Sequence, residues 1–281
     1  MTPRPPRRPT SRPGGTSRPP RRDVRPHREV RHDGVGGEQV EGRQAVLELL
    51  RAQRRRIERI LVADGQDPSE ILDQIEREAA RRRVLVQLVS MTRLDREART
   101  EGHQGVVAMA APLPTESLET LLADSSVFLL VADGVTDPRN LGAMLRSADG
   151  AGVTGVVLPR HRSARVTATA AKTAVGAIEY LRFCDVPGIP NALLEMQRQG
   201  VRVVGLASES RSSLYDLDLS QGPVALVVGG EERGLAALTR KRCSDIVSIP
   251  QSGRISSLNA GVAVSIAAFE IARQRRSSQN N

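Results

Sequence analysis

An uninterrupted apolar run ends in a glycine-flanked acid at residues 224–235, which read VALVVGGEERGL. The residues at 224–228 include no polar side chain, which is typical of a strand that is buried on both faces. The glycines that follow would let a ligand approach the backbone closely. Similar short apolar runs occur at 127–132, 155–158, 201–206 and 246–249.

Helical patterns lie between several of these runs, at 138–149 and 190–199, and a longer one closes the chain at 258–276. Apolar strands that alternate with helices predict an α/β fold with a parallel sheet covered on both faces. In such sheets, ligands bind at the carboxyl ends of the strands. Three chemically unusual segments of this chain each follow a predicted strand.

The first of these segments covers residues 133–148 and reads DGVTDPRNLGAMLRSA. Asp137 is a good N-cap for a helix, and Pro138 suits the first helical turn. The apolar spacing then predicts a buried stripe formed by Leu141, Met144, Leu145 and Ala148.

Polar residues of the same helix lie away from that stripe. Arg139 and Arg146 are seven residues apart and share another face, with Asn140 beside them. Two arginines and an amide near a helix start are suited to binding a phosphate and a ribose. A solvated helix face is the competing interpretation.

The second and third segments also combine a strand end with a polar loop. The glycine loop at 229–235 is neither a Walker loop nor a GxGxxG fingerprint, so a doubly wound dinucleotide enzyme is disfavoured. The third segment, 249–263, reads IPQSGRISSLNAGVA, and Ser257 or Asn259 begins a helix of small residues. Simple N-capping is the alternative explanation for these two side chains.

A smaller α/β unit is predicted at residues 38–111, before a linker at 112–124 and the larger unit at 125–276. Its pattern indicates a helix at 40–50, a strand at 57–63, a helix at 69–83 capped by Ser69, and a strand at 84–89. Four clustered arginines could form a phosphate-binding face or a solvated helix end. They are Arg51, Arg54, Arg55 and Arg56.

Residues 1–35 hold ten of the arginines, three acids and eight of the 17 prolines. Such a segment buries too little apolar surface to offset its ordering entropy, so it is predicted to be a disordered tail. Most of the formal net charge of +9 comes from this tail. It either binds the phosphates of RNA without specificity or is a solvated extension.

Composition excludes several classes of protein. The chain has no apolar window long enough for a membrane span and no secretory signal. Cys184 and Cys243 form neither a disulfide framework nor a metal-ligand cluster, so no metal is predicted and a reducing, cytoplasmic setting is expected. Both cysteines are interpreted as small core residues.

Taken together, the three segments resemble the SpoU/TrmH family of RNA ribose 2′-O-methyltransferases. The family's first motif matches Asn140 and Arg146. Its second, Gly-x-Glu-x-x-Gly-Leu, begins at Gly229 and includes Glu231, and its third matches Ile249-Pro250 and Ser257-Leu258-Asn259. The likeness covers residues 38–275. Residues 172–177, KTAVGA, depart from the family's usual KVSAGA.

This resemblance implies a C-terminal domain with a trefoil knot, a homodimer, and an N-terminal RNA substrate-binding domain. It implies S-adenosyl-L-methionine as the cofactor and RNA as the partner. A guanosine in large-subunit rRNA is the favoured target. A tRNA 2′-O-methyltransferase and a catalytically silent RNA-binding assembly factor are the alternatives.

The resemblance also implies roles for individual residues. Gly229, Ile249 and Leu258 would bind the cofactor. The catalytic set would be Arg146, Asn140, Glu231, Ser257 and Asn259. Outside these motifs, His103 could be a general base, but an RNA contact or a structural hydrogen bond is favoured because it belongs to the N-terminal unit.

Overall fold

Two β-sheets organise the protein in a computed structural model that describes residues 35–161, 166–231, 233–254 and 257–279. The N-terminal unit, defined here as residues 39–110, contains strands β1 (Gln39–Glu41), β2 (Ile57–Ala63), β3 (Leu85–Val89) and β4 (Val106–Ala110). Its helices are α1 (Arg43–Ala52), α2 (Glu70–Arg81) and α3 (Met91–Glu97). The strand order is β1-β4-β2-β3, and only β2 and β3 run parallel.

The C-terminal unit, residues 128–279, contains a parallel sheet of six strands. They are β5 (Phe128–Asp133), β6 (Gly155–Pro159), β7 (Arg182–Val186), β8 (Arg202–Leu206), β9 (Val224–Gly229) and β10 (Asp245–Val247). Their order is β10-β8-β9-β5-β6-β7, and every pairing is parallel. The predicted α/β fold with a parallel sheet is therefore confirmed.

Helices cover both faces of this sheet. The C-terminal unit holds α5 (Pro138–Gly150), α6 (Ala168–Thr173), α7 (Ile189–Arg198), α8 (Ala237–Lys241) and α9 (Ala260–Gln279), and α4 (Leu118–Leu122) precedes β5. Along β5, Leu130 faces the core shared with α5, α6 and α9, whereas Leu129 and Val131 face the core shared with α7. Alternate side chains of one strand are thus buried in two different cores, as the pleat requires.

Several elements differ from the sequence prediction. Val40 and Glu41, expected to begin a helix, belong to β1, because Gly42 (φ 98°) turns the chain before α1 starts at Arg43. Strand β7 was not predicted, since RFCDV mixes charged and apolar residues. Ser69 stands at the N-cap of α2, but its hydroxyl accepts from Arg43 rather than from the helix backbone. Ile249, expected to end a strand, lies two residues beyond β10.

The predicted tail and the predicted linker lie outside the two units and compare differently with the structure. Residues 1–34 of the predicted tail lie outside the described residues, whereas Val35 is buried and pairs with Leu113. The predicted linker at 112–124 carries α4 and buries Leu113 and Leu121 completely. In the described part of the chain, no helix has the length and apolar character needed to cross a membrane.

The four clustered arginines do not form a shared phosphate-binding face. Arg55 is buried and pairs with Glu179 of the C-terminal unit. Arg54 donates to the backbone carbonyl of Leu181, and Arg51 pairs with Glu48 on its own helix. Both sequence interpretations of this cluster are therefore wrong for Arg54 and Arg55, which contact the second unit.

Gly142 allows α5 and α6 to approach closely. A Cβ atom at this position would lie 2.5 Å from the carbonyl oxygen of Ala170 and 2.6 Å from the Cβ of Thr173. We expect Gly142→Ala to lower the free energy of unfolding by about 1–3 kcal/mol, because the two helices must separate. Urea denaturation measures this change, and Gly253→Ala, at a site with open space, is the matched control. Equal stability of both variants would contradict the tight contact.

Burial raises the pKa of both cysteine thiols to about 11, with Asp185 contributing at Cys184 and Asp133 at Cys243. A raised pKa leaves less thiolate at a given pH, so at pH 8 the reactive fraction falls about a hundredfold relative to a free thiol. We expect both thiols to react slowly with a disulfide reagent at pH 8, and faster as the pH approaches 11. The chain unfolded in guanidinium is the control, and rapid labelling of the native protein would refute this expectation.

Candidate active site

The first two motif segments leave the sheet side by side. In the register of β5 and β9, Asp133 is the partner of Gly229, so both loops begin at the same edge. Asp137 caps α5 by accepting from the backbone N–H of Arg139 at 2.9 Å, and Pro138 occupies the first turn. The predicted stripe of Leu141, Met144, Leu145 and Ala148 is fully buried. α5 is therefore held firmly at the carboxyl edge of the sheet.

A chain of side-chain hydrogen bonds joins the three motif segments. The Asn140 amide nitrogen donates to Glu231 Oε1 at 2.6 Å, and Asn259 Nδ2 donates to Asn140 Oδ1 at 3.0 Å. Asn259 Oδ1 in turn accepts from the backbone N–H groups of Gly261 at 2.9 Å and Val262 at 3.3 Å. Asn259 therefore has both functions: its side-chain oxygen caps α9, and its side-chain nitrogen contacts Asn140 of the site.

The glycine loop is closed on itself. A Cβ atom on Gly229 would lie 2.0 Å from the backbone carbon of Gly234, so only glycine fits there. The N–H of Gly230 donates to the Asp133 carbonyl at 3.1 Å, and Asp133 Oδ2 accepts from the N–H of Ala236 at 3.1 Å. The space that glycine provides is occupied by the protein's own backbone.

Arg146 and Ser257 do not belong to this hydrogen-bond chain. Both are exposed, and neither side chain has a hydrogen-bond or ion-pair partner among the residues that the structure describes. Arg146 lies six residues after Asn140 on α5. Because it has no such partner, the Arg146 guanidinium is available to an external anion. Three residues further along α5, burial raises the pKa of the Asp149 carboxyl, and the charge of Glu48 raises it further.

Two of the three predicted cofactor residues follow the carboxyl ends of sheet strands, and the third precedes α9. Gly229 ends β9, Ile249 follows β10 and is half-buried against the core, and Leu258 precedes α9 with 36% of its surface exposed. Leu206, at the end of β8 between them, is also half-buried. These apolar surfaces beside a glycine loop suit an adenine ring, so the residues present fit a nucleoside-bearing cofactor.

Among the described residues, no group of three or more His, Cys, Asp or Glu side chains could hold an ion. His103 is also accounted for without catalysis. Its Nδ1 accepts from the N–H of Gly105 at 3.1 Å, which leaves the proton on Nε2, 2.9 Å from Asp95 Oδ1. This is the structural hydrogen bond that the sequence interpretation favoured.

Two residues that organise the site were not singled out from the sequence. The Asp133 carboxylate pins the end of the glycine loop, and a Cβ atom on Gly230 would lie 2.4 Å from the carbonyl oxygen of Gly134. In the sequence, the only sign of this role is that Asp133 ends a strand and that a Gly-Gly pair ends another. The sequence does not show that β5 pairs with β9, so it does not bring the two together.

Comparisons with known families agree with this architecture. Residues 127–269 match the SpoU rRNA methylase family, and residues 39–116 match the RNA 2′-O ribose methyltransferase substrate-binding family. The 23S rRNA (guanosine-2′-O-)-methyltransferase RlmB of Shewanella oneidensis is 42% identical over 84% of this chain and 97% of its own length. The enzyme of the same name from Escherichia coli K12 is 38% identical over 85% and 99%.

Solved structures show the same fold. A crystal structure titled RNA 2′-O ribose methyltransferase has a TM-score of 0.72 and 27% identity, covering 85% of this chain and 88% of that one. The SpoU methyltransferase AviRb from Streptomyces viridochromogenes, in complex with the cofactor AdoMet, has a TM-score of 0.70 and 24% identity, covering 85% and 90%. With its three motifs meeting at one edge of the sheet, this chain belongs to the SpoU family of RNA methyltransferases.

Proposed function

We propose that this protein transfers a methyl group from S-adenosyl-L-methionine to the ribose 2′-hydroxyl of a guanosine in 23S rRNA. The observation that carries the proposal is the hydrogen-bond chain through Glu231, Asn140 and Asn259, which links three motifs far apart in sequence. Relatives 38–42% identical over nearly their whole lengths carry that activity in their names. The family match at residues 39–116 supports RNA as the substrate.

Gly229, Ile249 and Leu258 are proposed to hold the cofactor through apolar contacts and main-chain groups. When bound, S-adenosyl-L-methionine supplies an electrophilic methyl group on a sulfonium centre. The exposed Leu258 and the half-buried Ile249 would cover the adenine and exclude water from it.

Arg146 is proposed to act on the nucleotide rather than as a base. A guanidinium has a pKa above about 12, so it does not accept a proton at neutral pH. Its five donors suit bidentate pairing with a phosphate. Paired with the phosphate next to the target, Arg146 would align and polarise the 2′-hydroxyl for attack on the methyl group. The bond between sulfur and the methyl carbon would break as the new C–O bond forms, S-adenosylhomocysteine would leave as the neutral thioether, and the hydroxyl proton would pass to water.

The remaining site residues are assigned to positioning. Asn140, Glu231 and Asn259 would hold the nucleotide in place while keeping α5, the glycine loop and α9 in one arrangement. The exposed hydroxyl of Ser257 would contact the ribose or its phosphate. Alignment of two reacting groups supplies a large share of such a rate gain.

The proposal also includes the oligomeric state of the protein and its location in the cell. α9 exposes Val262 (47%) and Phe269 (44%), and Leu258 precedes it, so an apolar surface borders the site. We assign this surface to a homodimer contact. The trefoil knot of the family and a cytoplasmic location, where ribosomal RNA is found, complete the proposal.

Arg146→Lys tests the proposed role of the guanidinium. A lysine keeps the charge but loses the planar fork, so we expect kcat for methyl transfer to fall about 100-fold through misalignment. The affinity for S-adenosylhomocysteine, measured by calorimetry, should stay the same. Arg198→Lys, an exposed arginine on α7, is the control. Near-full transfer by Arg146→Lys with normal cofactor binding would refute the role.

The target is tested by mapping 2′-O-methyl groups in rRNA and tRNA from a strain that lacks the gene. We expect one guanosine in 23S rRNA to lose its methyl group, and the wild-type gene to restore it. Loss of a tRNA signal with intact rRNA would reassign the enzyme to tRNA. No change in either RNA, together with no labelled methyl transfer in vitro, would favour an RNA-binding assembly factor.

A further inference from the structure

A buried ion pair joins the two units of the chain. Arg55 follows α1 in the N-terminal unit, and Glu179 ends a short 3₁₀ helix (Ala177–Glu179) in the C-terminal unit. Each side chain is 1% exposed. Arg55 Nε donates to Glu179 Oε2 at 3.0 Å, and Nη2 donates to Oε1. The third nitrogen, Nη1, donates to the carbonyls of Gly37 at 3.2 Å and Ala111 at 3.3 Å.

This ion pair fixes the relative orientation of the two units more than it adds to the free energy of unfolding. Removing both charges from water costs about as much as their attraction returns, and apolar residues of the same size stabilise such positions equally well. Desolvation raises the pKa of Glu179 although Arg55 opposes the shift. A bidentate contact between arginine and carboxylate, however, is satisfied in one geometry only. Any rotation of one unit against the other would leave two buried charges unpaired.

Weaker contacts surround the pair on the same segment. Arg54 Nη1 donates to the Leu181 carbonyl at 2.5 Å, and the Tyr180 hydroxyl donates to Glu48 Oε2 at 2.6 Å. Gly176 lies so close to α1 that its Cβ atom would be 2.5 Å from the Cβ of Glu48. The contact surface therefore extends beyond the ion pair along α1.

Residues 168–180 also reach the candidate active site. α6 packs against α5, where a Cβ atom on Gly142 would overlap the Ala170 carbonyl. α5 carries both Asn140 and Arg146. Between α6 and the ion pair, Val175 adopts φ 53°, a strained conformation for a β-branched residue that persists only where its surroundings enforce it. One constrained segment thus connects the N-terminal unit to the helix that carries the catalytic candidates.

We propose that Arg55 and Glu179 are positioning residues that hold the N-terminal unit in one orientation, so that RNA bound there presents its ribose to Arg146 and Asn140. The positioning role rests on the proposed methyl transfer, whereas the fixed docking of the two units does not. Docking lowers the cost of productive RNA binding, because the two RNA-contacting surfaces are ordered before the RNA arrives.

The test replaces Glu179 by Gln in the full-length protein. We expect KM for an rRNA fragment to rise at least about tenfold, since RNA must then order the two units itself. At saturating RNA, kcat should stay within about threefold of wild type, because the reacting groups are unchanged. The affinity for S-adenosylhomocysteine should not change. X-ray scattering should show a larger radius of gyration.

Tyrosine fluorescence reports directly whether the two units are docked. The chain has two tyrosines and no tryptophan, so in a Tyr215→Phe background Tyr180 is the only strong fluorophore. Its hydroxyl donates to a carboxylate of the other unit, which quenches emission. Glu179→Gln should therefore increase tyrosine emission at neutral pH.

Glu41→Gln is the matched control. Glu41 is a fully buried glutamate that accepts from the N–H groups of Arg99 and Thr100, all within the N-terminal unit. It tests whether loss of a buried carboxylate alone raises KM. If Glu179→Gln does not fold, the double variant Arg54→Ala/Glu48→Ala removes the surrounding contacts at less buried positions and should raise KM about threefold. In this variant X-ray scattering reports docking, because Glu48→Ala removes the carboxylate that quenches Tyr180.

Three results would overturn the proposal. An unchanged KM in an undocked Glu179→Gln variant would show that orientation is irrelevant to RNA, and an equal rise with Glu41→Gln would show a general loss of stability. Wild-type scattering that matches two independently moving units would show that docking is absent. Absence of methyl transfer to any RNA by the wild-type protein would instead refute the proposed function, and scattering and emission would still test docking.

Discussion

The carboxyl edge of the large sheet depends on one contact between two stretches of backbone. Gly229 and Gly234 approach so closely that a single carbon atom between them would overlap the main chain. This contact closes the glycine loop, and the closed loop presents Glu231 toward Asn140. Because β5 and β9 are paired in register, the same contact also fixes the loop above Asp133. The geometry of the candidate site follows from this steric constraint and the parallel pairing beneath it.

Much of this architecture could be predicted from periodicity and composition. Apolar runs identified five of the six strands in the large sheet, since strands that are buried on both faces consist mainly of apolar residues. The exception, β7, is one of the two edge strands, and its charged residues interrupt the apolar pattern. Its Arg182 pairs with Glu116, which an edge position tolerates. The buried stripe of α5 and the cap at Asp137 were also correct, because both depend on neighbours within one helix.

The errors share a physical origin. Arg55 lies in a run of arginines that reads as solvent-exposed, and its burial depends on Glu179, 124 residues away. The close approach of Gly229 to Gly234 within the glycine loop is likewise a contact that motif spacing alone does not reveal. Motif spacing correctly grouped Asn140, Glu231 and Asn259, but the direction of each hydrogen bond required three-dimensional contacts. Local patterns specify elements, and contacts between distant residues decide what those elements do.

The position of Asn259 has a consequence for biosynthesis. Its two hydrogen-bonding groups serve different partners, since the amide nitrogen reaches back 119 residues to Asn140 and the oxygen caps the last helix of the chain. During translation, all six strands of the large sheet have been synthesised by residue 250, before Asn259 is added to the chain. The site can therefore be completed only when the C-terminal helix has emerged and docked, late in synthesis. A chain that ended at residue 248 would contain the residues of every strand of the sheet but none of the third motif, which begins at Ile249.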